Sequence, residues 1–253
     1  MTSSTKVFAI LNLFDEAHPV WHADEINEKL SYTRATGYRY VKDLVAAGFL
    51  RKAAAGRYSL GPRIIELDFL LRRSDPVLLA AVPVVDELAK RAGLDGVLST
   101  ILATRLVDTY RASADPTLQF SYGRGRPRPL FKGAAPKVIL AFTPRAQLVK
   151  IYESCAAEAA AAGLGATWPE FRSRLTEIRN ERFYFSRGEL DEWLSGAAMP
   201  LFDADGDVAA ALTLVGLRDA MEKLGVDHLK SLLEDACKEI QAVIAQGVPP
   251  AQS

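Results

Sequence analysis

Apolar residues recur at helical spacing from the start of the chain: Val7, Ile10, Leu11 and Phe14 share a face, Thr5 stands ahead of them as a cap, and Asp15 to Pro19 closes the run. A second, shorter helix is predicted over Ala23 to Leu30, with Ile26 and Leu30 on one side and Asp24, Glu25 and Glu28 on the other. Ser31-Tyr32-Thr33 makes a tight connection with Thr33 as the next cap. Arg34 to Ala47 then reads as a third helix that turns Tyr40, Val41, Leu44 and Val45 inward, and Gly48 ends it. Two β-prone runs follow, Phe49 to Lys52 and Arg57 to Leu60, and Ala53-Ala54-Ala55-Gly56 between them is a hairpin signal. Three short helices and a hairpin, in that order, predict a winged helix-turn-helix over residues 1–62.

Gly61-Pro62 punctuates the chain, and Arg63 to Arg73 carries Ile64, Leu67 and Leu71, with Leu70 beside them, on a helix able to pair with a second copy of itself. This linker is assigned to 63–75. Asp75 caps a further helix that starts at Pro76 and runs to Gly93, with Pro83 predicting a kink. A domain over 76–253 follows, with strands at Val97 to Ala103 and Leu106 to Ala112 around a Thr104-Arg105 turn. Helices are expected at Ala134 to Phe142, Arg145 to Ala161 and Pro169 to Arg182, and strands at Phe183 to Ser186, Ala197 to Phe202 and Val208 to Val215. A terminal helix from Asp227 to Gln246 places Leu229, Leu232, Leu233, Ala236, Ile240 and Val243 on one face. The expectation is an α+β fold in which helices cover one face of a mainly antiparallel sheet.

Composition changes this picture little, since about half the residues are apolar and a quarter charged. Cys155 and Cys237 lie far apart, which argues against a disulfide framework or a zinc site and fits a reducing cytoplasm. No apolar run spans a bilayer and Met1 to Lys6 lacks the layout of a signal peptide, so a cytoplasmic protein is expected. Charge matters through its placement. The chain is formally neutral, yet from Ser31 to Arg63 seven bases (Arg34, Arg39, Lys42, Arg51, Lys52, Arg57, Arg63) face one acid, Asp43.

That cationic segment coincides with the third helix and the hairpin. A helix fits the major groove of DNA, where its first turns reach base edges and flanking bases hold phosphates. Arg34 and Tyr38 are assigned to base edges, and Thr36, Arg39 and Lys42 to phosphates. Arg51, Lys52 and Arg57, with Tyr58, are assigned to a wing that reaches an adjacent groove or backbone. A solvated charged face is the bland alternative for each group, and Tyr58 can equally pack against the third helix.

The stretch Thr33-Arg34-Ala35-Thr36-Gly37-Tyr38-Arg39 before Leu44-Val45-Ala46-Ala47-Gly48-Phe49-Leu50, and Gly56-Arg57-Tyr58-Ser59-Leu60-Gly61 after it, resemble the IclR-type bacterial transcriptional regulators. So do Pro129-Leu130-Phe131, Lys137-Val138-Ile139-Leu140-Ala141, Gly188-Glu189 and Ala197 to Asp203 in the second domain. The chain departs from the family at Pro136, where a glycine usually precedes the lysine. The resemblance implies homodimers or dimers of dimers on palindromic operators in double-stranded DNA, and a GAF-like effector domain. By position it implies that a small-molecule effector is lined by Ala134, Ala135, Ser186, Gly196, Thr213 and Val215, with Phe120, Tyr122 and Phe131 stacking on a ring. Arg124, Arg126, Arg128 and Lys132 lie just upstream as partners for a carboxylate, so a small organic acid, aromatic acids included, is the expected effector.

Other patterns fail on spacing. Asp203, Asp205 and Asp207 imitate the start of a calcium loop, but Gly206 is misplaced and Leu214 stands where its glutamate belongs, so a hairpin turn is expected. Gly123-Arg124-Gly125 lacks the later glycine of a dinucleotide fingerprint, and His18, His22 and His228 show no metal spacing. Neither a cofactor nor a metal is expected. The alternative function is a small-molecule-processing enzyme domain using Glu189, Asp191 or Glu192 as acid or base, fused to a nucleic-acid-binding arm. A pure interaction module is the third reading, and it leaves the cationic segment without a purpose.

Overall fold

The first apolar run folds as α1 (Ser3–Leu11), so Thr5 lies inside the helix rather than at its cap, and Phe14 falls beyond its end. The computed structural model describes residues 3–115 and 123–247. Within it the chain divides into two compact units, Met1–Ser74 and Asp75–Ser253.

In the first unit a two-residue strand, β1 (Trp21–His22), leads into α2 (Ala23–Leu30). The helix starts with a capping box: His22 Nδ1 accepts from Asp24 N–H, and Glu25 accepts from His22 N–H at 2.7 Å. Ser31, in the left-handed region at φ 56°, ends it. α3 (Arg34–Ala46) starts where Thr33 Oγ1 accepts from Thr36 N–H, as its sequence requires. β2 (Leu50–Lys52) and β3 (Arg57–Leu60) form the hairpin, and β1 adds to its far edge to give the order β1-β3-β2. At the tip, Ala54–Gly56, the backbone turns through the left-handed region at Ala55 (φ 56°) and Gly56 (φ 71°). Ile10, Ile26, Tyr40, Val41, Leu44 and Leu50 form the core, with Trp21 and Tyr58 packed against it.

Two glycines set the close approaches of this unit. A Cβ on Gly37 of α3 would stand 1.5 Å from Asn27 Oδ1 of α2, so the pair of helices meets through the missing side chain. A Cβ on Gly61 would stand 2.1 Å from the carbonyl oxygen of Gly48, which ties the end of the hairpin to the end of α3. α4 (Arg63–Ser74) follows with no buried residue: Ile65, Phe69, Leu70 and Leu71 are all more than half exposed.

In the second unit, Asp75 Oδ1 accepts from the N–H groups of Val77 and Leu78 at the start of α5 (Pro76–Ala92), and Gly93 at φ 62° ends it. Pro83 sits inside that helix. β4 (Asp95–Leu102) and β5 (Arg105–Ala112) form a hairpin whose turn is Ala103-Thr104, one residue earlier than expected, because Arg105 pairs with Leu102. Then come β6 (Pro127–Arg128), α6 (Ala134–Phe142), α7 (Arg145–Ala161), α8 (Trp168–Glu181), β7 (Tyr184–Arg187), β8 (Leu194–Phe202), β9 (Val208–Leu217), α9 (Arg218–Leu224) and α10 (Val226–Gln246). The strands form one antiparallel sheet in the order β6-β5-β4-β9-β8-β7. The β8–β9 turn is made by Asp203, whose Oδ1 accepts from the N–H groups of Asp205 and Asp207 at 3.0 Å.

Helices cover both faces of this sheet, not one. The apolar stripes of α5 and α10 pack with Leu98, Ala197, Leu212 and Leu214 in one core, drawing on Ala81, Val85 and Leu88 from α5 and Leu229, Leu233 and Ile240 from α10. Ala198 turns the other way and joins Val138 and Leu140 of α6 with Phe171 and Leu175 of α8 in a second core. Adjacent residues of a strand point to opposite faces. The apolar run 197–202 of β8 is therefore what burial on both sides demands.

Candidate nucleic-acid interface and ligand cavity

Capping by Thr33 and the close seating of Gly37 on Asn27 fix how α3 presents its outer side. Arg34, Tyr38, Arg39 and Lys42 are exposed there and Thr36 is half-buried. The Arg34 guanidinium lies over the Tyr38 ring, 5.6 Å from its centroid, and 3.6 Å from Asp24, so these two side chains pack against each other at the start of the helix. The Thr36 hydroxyl accepts from Thr33 Oγ1 at 2.9 Å. The cap thus engages Thr36 and leaves it its own proton to donate. Arg39 lies over the Tyr40 ring at 5.2 Å. On the hairpin Arg51, Lys52 and Arg57 are exposed, with Arg51 Nε donating to Ser59 Oγ at 3.1 Å. Tyr58 is half-buried in the core, opposite Trp21 across the β1–β3 pairing.

In the second unit a cavity lies between the sheet and the N-terminus of α6. Strand register explains its floor: Val215, Gly196 and Ser186 stand side by side across β9, β8 and β7, and Thr213 pairs with Val97 on β4. Gly196 makes the room, because a Cβ there would stand 3.2 Å from Ser186 Oγ and 3.8 Å from both Ala134 Cβ and Thr213 Cγ2. All six small or hydroxyl residues expected from position (Ala134, Ala135, Ser186, Gly196, Thr213, Val215) line this one cavity, and so does Pro136. The void is about 50 Å³, small beside the roughly 150 Å³ of a cavity that holds a benzene ring.

The expected aromatic contacts do not follow. Phe131 is buried against Phe171 in the helical core, ring centroids 6.0 Å apart, and does not line the cavity. Its neighbour Leu130 is buried in that core too, so Pro129-Leu130-Phe131 anchors the loop rather than facing a ligand. Phe120 and Tyr122 lie outside the described residues.

Charged groups supply the rest of the wall: Arg128 from the upstream bases, and Asp108 and Arg111, which spacing did not reveal. Arg128 donates to Asp108 Oδ1 at 2.5 Å and to Ser99 Oγ at 3.0 Å, and Ser99 donates to the same Asp108 oxygen at 2.7 Å. Burial pushes the Asp108 carboxyl above its ordinary range, although Arg128, Ser99 and Arg111 each pull it back. Arg111 reaches Asp95 at 2.6 Å. Of the four upstream bases, only Arg128 is among the lining residues of this cavity. Glu189 lines it from the loop between β7 and β8 and accepts from Gly133 N–H at the start of α6. The hydroxyls of Ser195 and Thr213, 3% and 4% exposed, have no hydrogen-bond partner among the described residues. Ser195 escapes the sequence reading because the predicted strand begins two residues later. Asp108 stands on the same strand face as buried Leu106, a signal of a paired internal charge.

Among the described residues no group of three His, Cys, Asp or Glu side chains is placed to hold a metal, and no helix is long and apolar enough to cross a membrane.

The model of the IclR helix-turn-helix domain matches residues 3–54, and that of the C-terminal domain of the bacterial transcriptional regulator IclR matches residues 71–242. The chain belongs to the IclR family. Among curated IclR relatives, the HTH-type transcriptional regulator KipR of Bacillus subtilis is 26% identical over 243 residues, covering 94% of this chain and 95% of KipR. Among solved structures, an IclR family regulator from Brucella abortus superposes with a TM-score of 0.79 at 20% identity, covering 96% of this chain and 92% of that one. An IclR homologue from Microbacterium hydrocarbonoxydans, crystallised in complex with 4-hydroxybenzoate, matches with a TM-score of 0.74 at 20% identity, covering 97% of this chain and all of that one. This IclR protein is thus a DNA-binding transcriptional regulator with a C-terminal effector domain, and the enzymatic reading of Glu189, Asp191 and Glu192 is set aside.

Proposed function

We propose that this regulator grips a palindromic operator as a homodimer or a dimer of dimers in the cytoplasm, and that a small organic acid in the cavity modulates the grip. Its working parts are the winged helix-turn-helix over 1–62, the linker helix over 63–75 and the effector domain over 76–253. Arg34 and Tyr38 read base edges from the first turns of α3. Thr36, Arg39 and Lys42 hold phosphates, and Arg51, Lys52 and Arg57 hold the backbone beside the wing. The observation that carries this reading is the exposed outer face of α3, where an arginine lying over a tyrosine ring precedes two further bases on the same helix. The exposed apolar side chains of α4 support pairing with a second copy.

For the effector, Ala134, Ala135, Ser186, Gly196, Thr213 and Val215 provide a small wall with few polar anchors, the pattern of a site for a compact ligand. The 4-hydroxybenzoate held by the Microbacterium homologue supports an acid, and ring acids among them. The effector switches binding only through unequal affinity for two arrangements of the protein.

Duplexes selected from a random pool by the full-length protein provide the test. On a selected duplex, Arg39→Ala weakens binding to specific and scrambled sequences alike and lowers the slope of log affinity against log salt by about one. Arg34→Ala instead narrows the gap between the two sequences. Indistinguishable effects of the two substitutions on both duplexes remove this division of roles.

A further inference from the structure

Glu189 is held by three donors at once. Its Oε2 accepts from Gly133 N–H at 2.9 Å and from Lys137 Nζ at 2.7 Å, and its Oε1 accepts from Tyr184 OH at 3.0 Å. Lys137 Nζ and Tyr184 OH are 3.0 Å apart, so the donors converge on one small volume. Gly133 is the residue that opens α6, and it has no side chain to cap the helix. The carboxylate of Glu189 therefore supplies from a distant loop the anion that the positive end of this helix favours.

Its position is as telling as its partners. Glu189 lines the small cavity on one side and, with Lys137 and Tyr184, an open cleft of about 470 Å³ on the other. The clasp is the partition between them. The segment 188–193 that carries it is neither helix nor strand, and Gly188 enters it at φ 62°. Asp191 on the same segment keeps one buried carboxylate oxygen without a hydrogen-bond partner, a cost borne by this closed arrangement.

An entering organic anion meets a charge problem here. The cavity's arginines, Arg111 and Arg128, are already engaged by the buried carboxylates of Asp95 and Asp108. A further carboxylate taken into that space needs a cation and donors of its own. Lys137, 3% exposed, and the start of α6 provide them, and Glu189 occupies them. Exchange solves the problem without adding a buried charge. As the tethered carboxylate leaves, the free one takes its place, and Leu190 moves with the loop to widen a void too small for a ring.

We infer that Glu189 is a tethered occupant of a carboxylate position formed by Gly133 N–H, Lys137 and Tyr184, and that an organic anion binds by displacing it. This rests on the reading of the cavity as a site for an organic acid. The unpartnered hydroxyls of Ser195 and Thr213 are the further groups that such a ligand satisfies.

Formate and benzoate serve as probes on the full-length protein. In Glu189→Ala the three donors lose their acceptor, so sodium formate, compared with sodium chloride at equal ionic strength, raises the melting temperature of the variant and not of the wild type. Glu189→Gln keeps the length of the side chain and loses its charge; it binds benzoate about tenfold more tightly than the wild type, the repulsion of a like charge being gone. Trp193, on the same segment and 44% exposed, reports the movement. Benzoate changes the fluorescence of the wild type, and Trp193→Phe abolishes that change. Absence of formate rescue in a folded Glu189→Ala, or equal benzoate affinity in wild type and Glu189→Gln, overturns the inference. Should Glu189→Ala not fold, the Gln comparison decides alone. Formate rescue with no carboxylate binding to the wild type upholds the carboxylate position and removes the acid-effector reading, so the two failures are told apart.

Discussion

Replacing Arg128 with methionine tests how the effector domain carries its internal charge. The side chains of Arg128 and Asp108 are 9% and 5% exposed, and their 2.5 Å contact sits beside the cavity. Methionine keeps much of the volume and leaves Asp108 with the Ser99 hydroxyl as its remaining donor from this triad. Removing one partner of a buried pair costs about 3–5 kcal/mol, because the charge left behind has lost its compensation. For a unit of this size that corresponds to a fall in melting temperature of about 6–20 °C. The loss also depends on pH. Burial already raises the Asp108 carboxyl in the folded state above its unfolded value, and without Arg128 it rises further. A carboxyl raised in this way contributes stability that is fully present below the ordinary carboxylate range and is lost as pH climbs through the folded value. Arg128→Met therefore recovers part of its stability between neutral pH and about pH 5, more than the wild type gains. Arg128→Met/Asp108→Leu removes both charges and regains most of the loss, so a double-mutant cycle shows strong coupling. Urea unfolding of the four proteins at two pH values measures each term. A loss under about 1 kcal/mol, or one that is unchanged on acidification, refutes the account of Asp108 as a buried carboxylate held by its arginine.

Two further outcomes follow from missing side chains. Gly61→Ala forces a Cβ against the Gly48 carbonyl, a backbone atom that cannot swing aside, and lowers the stability of the DNA-binding unit by about 1–3 kcal/mol; an unchanged unfolding midpoint contradicts it. Gly196→Val fills the space bounded by Ser186, Ala134 and Thr213 and abolishes benzoate binding by calorimetry while leaving operator binding without effector intact. Unaltered benzoate affinity there places the ligand elsewhere.

Local signals carried much of this fold. Gly133 before Ala134, and Thr143-Pro144 before Arg145, punctuate the chain so clearly that α6 and α7 lie where hydropathy placed them. The caps at Thr33 and Asp75 were legible for the same reason, since a short oxygen-bearing side chain ahead of a periodic run satisfies free amides. β1 has two residues and α9 seven, with Met221 the residue α9 buries, so neither gives a period to read. One-sided covering of the sheet, expected from the order of helices and strands, missed what the apolar run 197–202 of β8 already indicated, two covered faces. In the cavity, small and hydroxyl residues were expected by resemblance and Arg128 by its place upstream, whereas Asp108 and Arg111 were not. Asp108 and Arg128 meet across the sheet 20 residues apart, and Glu189 meets Gly133 across 56, distances over which no periodicity speaks. Phe131 erred through the same blindness, because an aromatic side chain beside a cavity and one beneath it look alike in sequence.

The bare ridge of α4 bears on how the regulator senses its own abundance. On the proposed pairing of two copies along Ile64, Leu67, Leu70 and Leu71, free subunits must meet before an operator fills, and occupancy climbs with the square of their concentration while they remain scarce. Modest changes in synthesis or turnover then act as a threshold on transcription, before any metabolite has been detected.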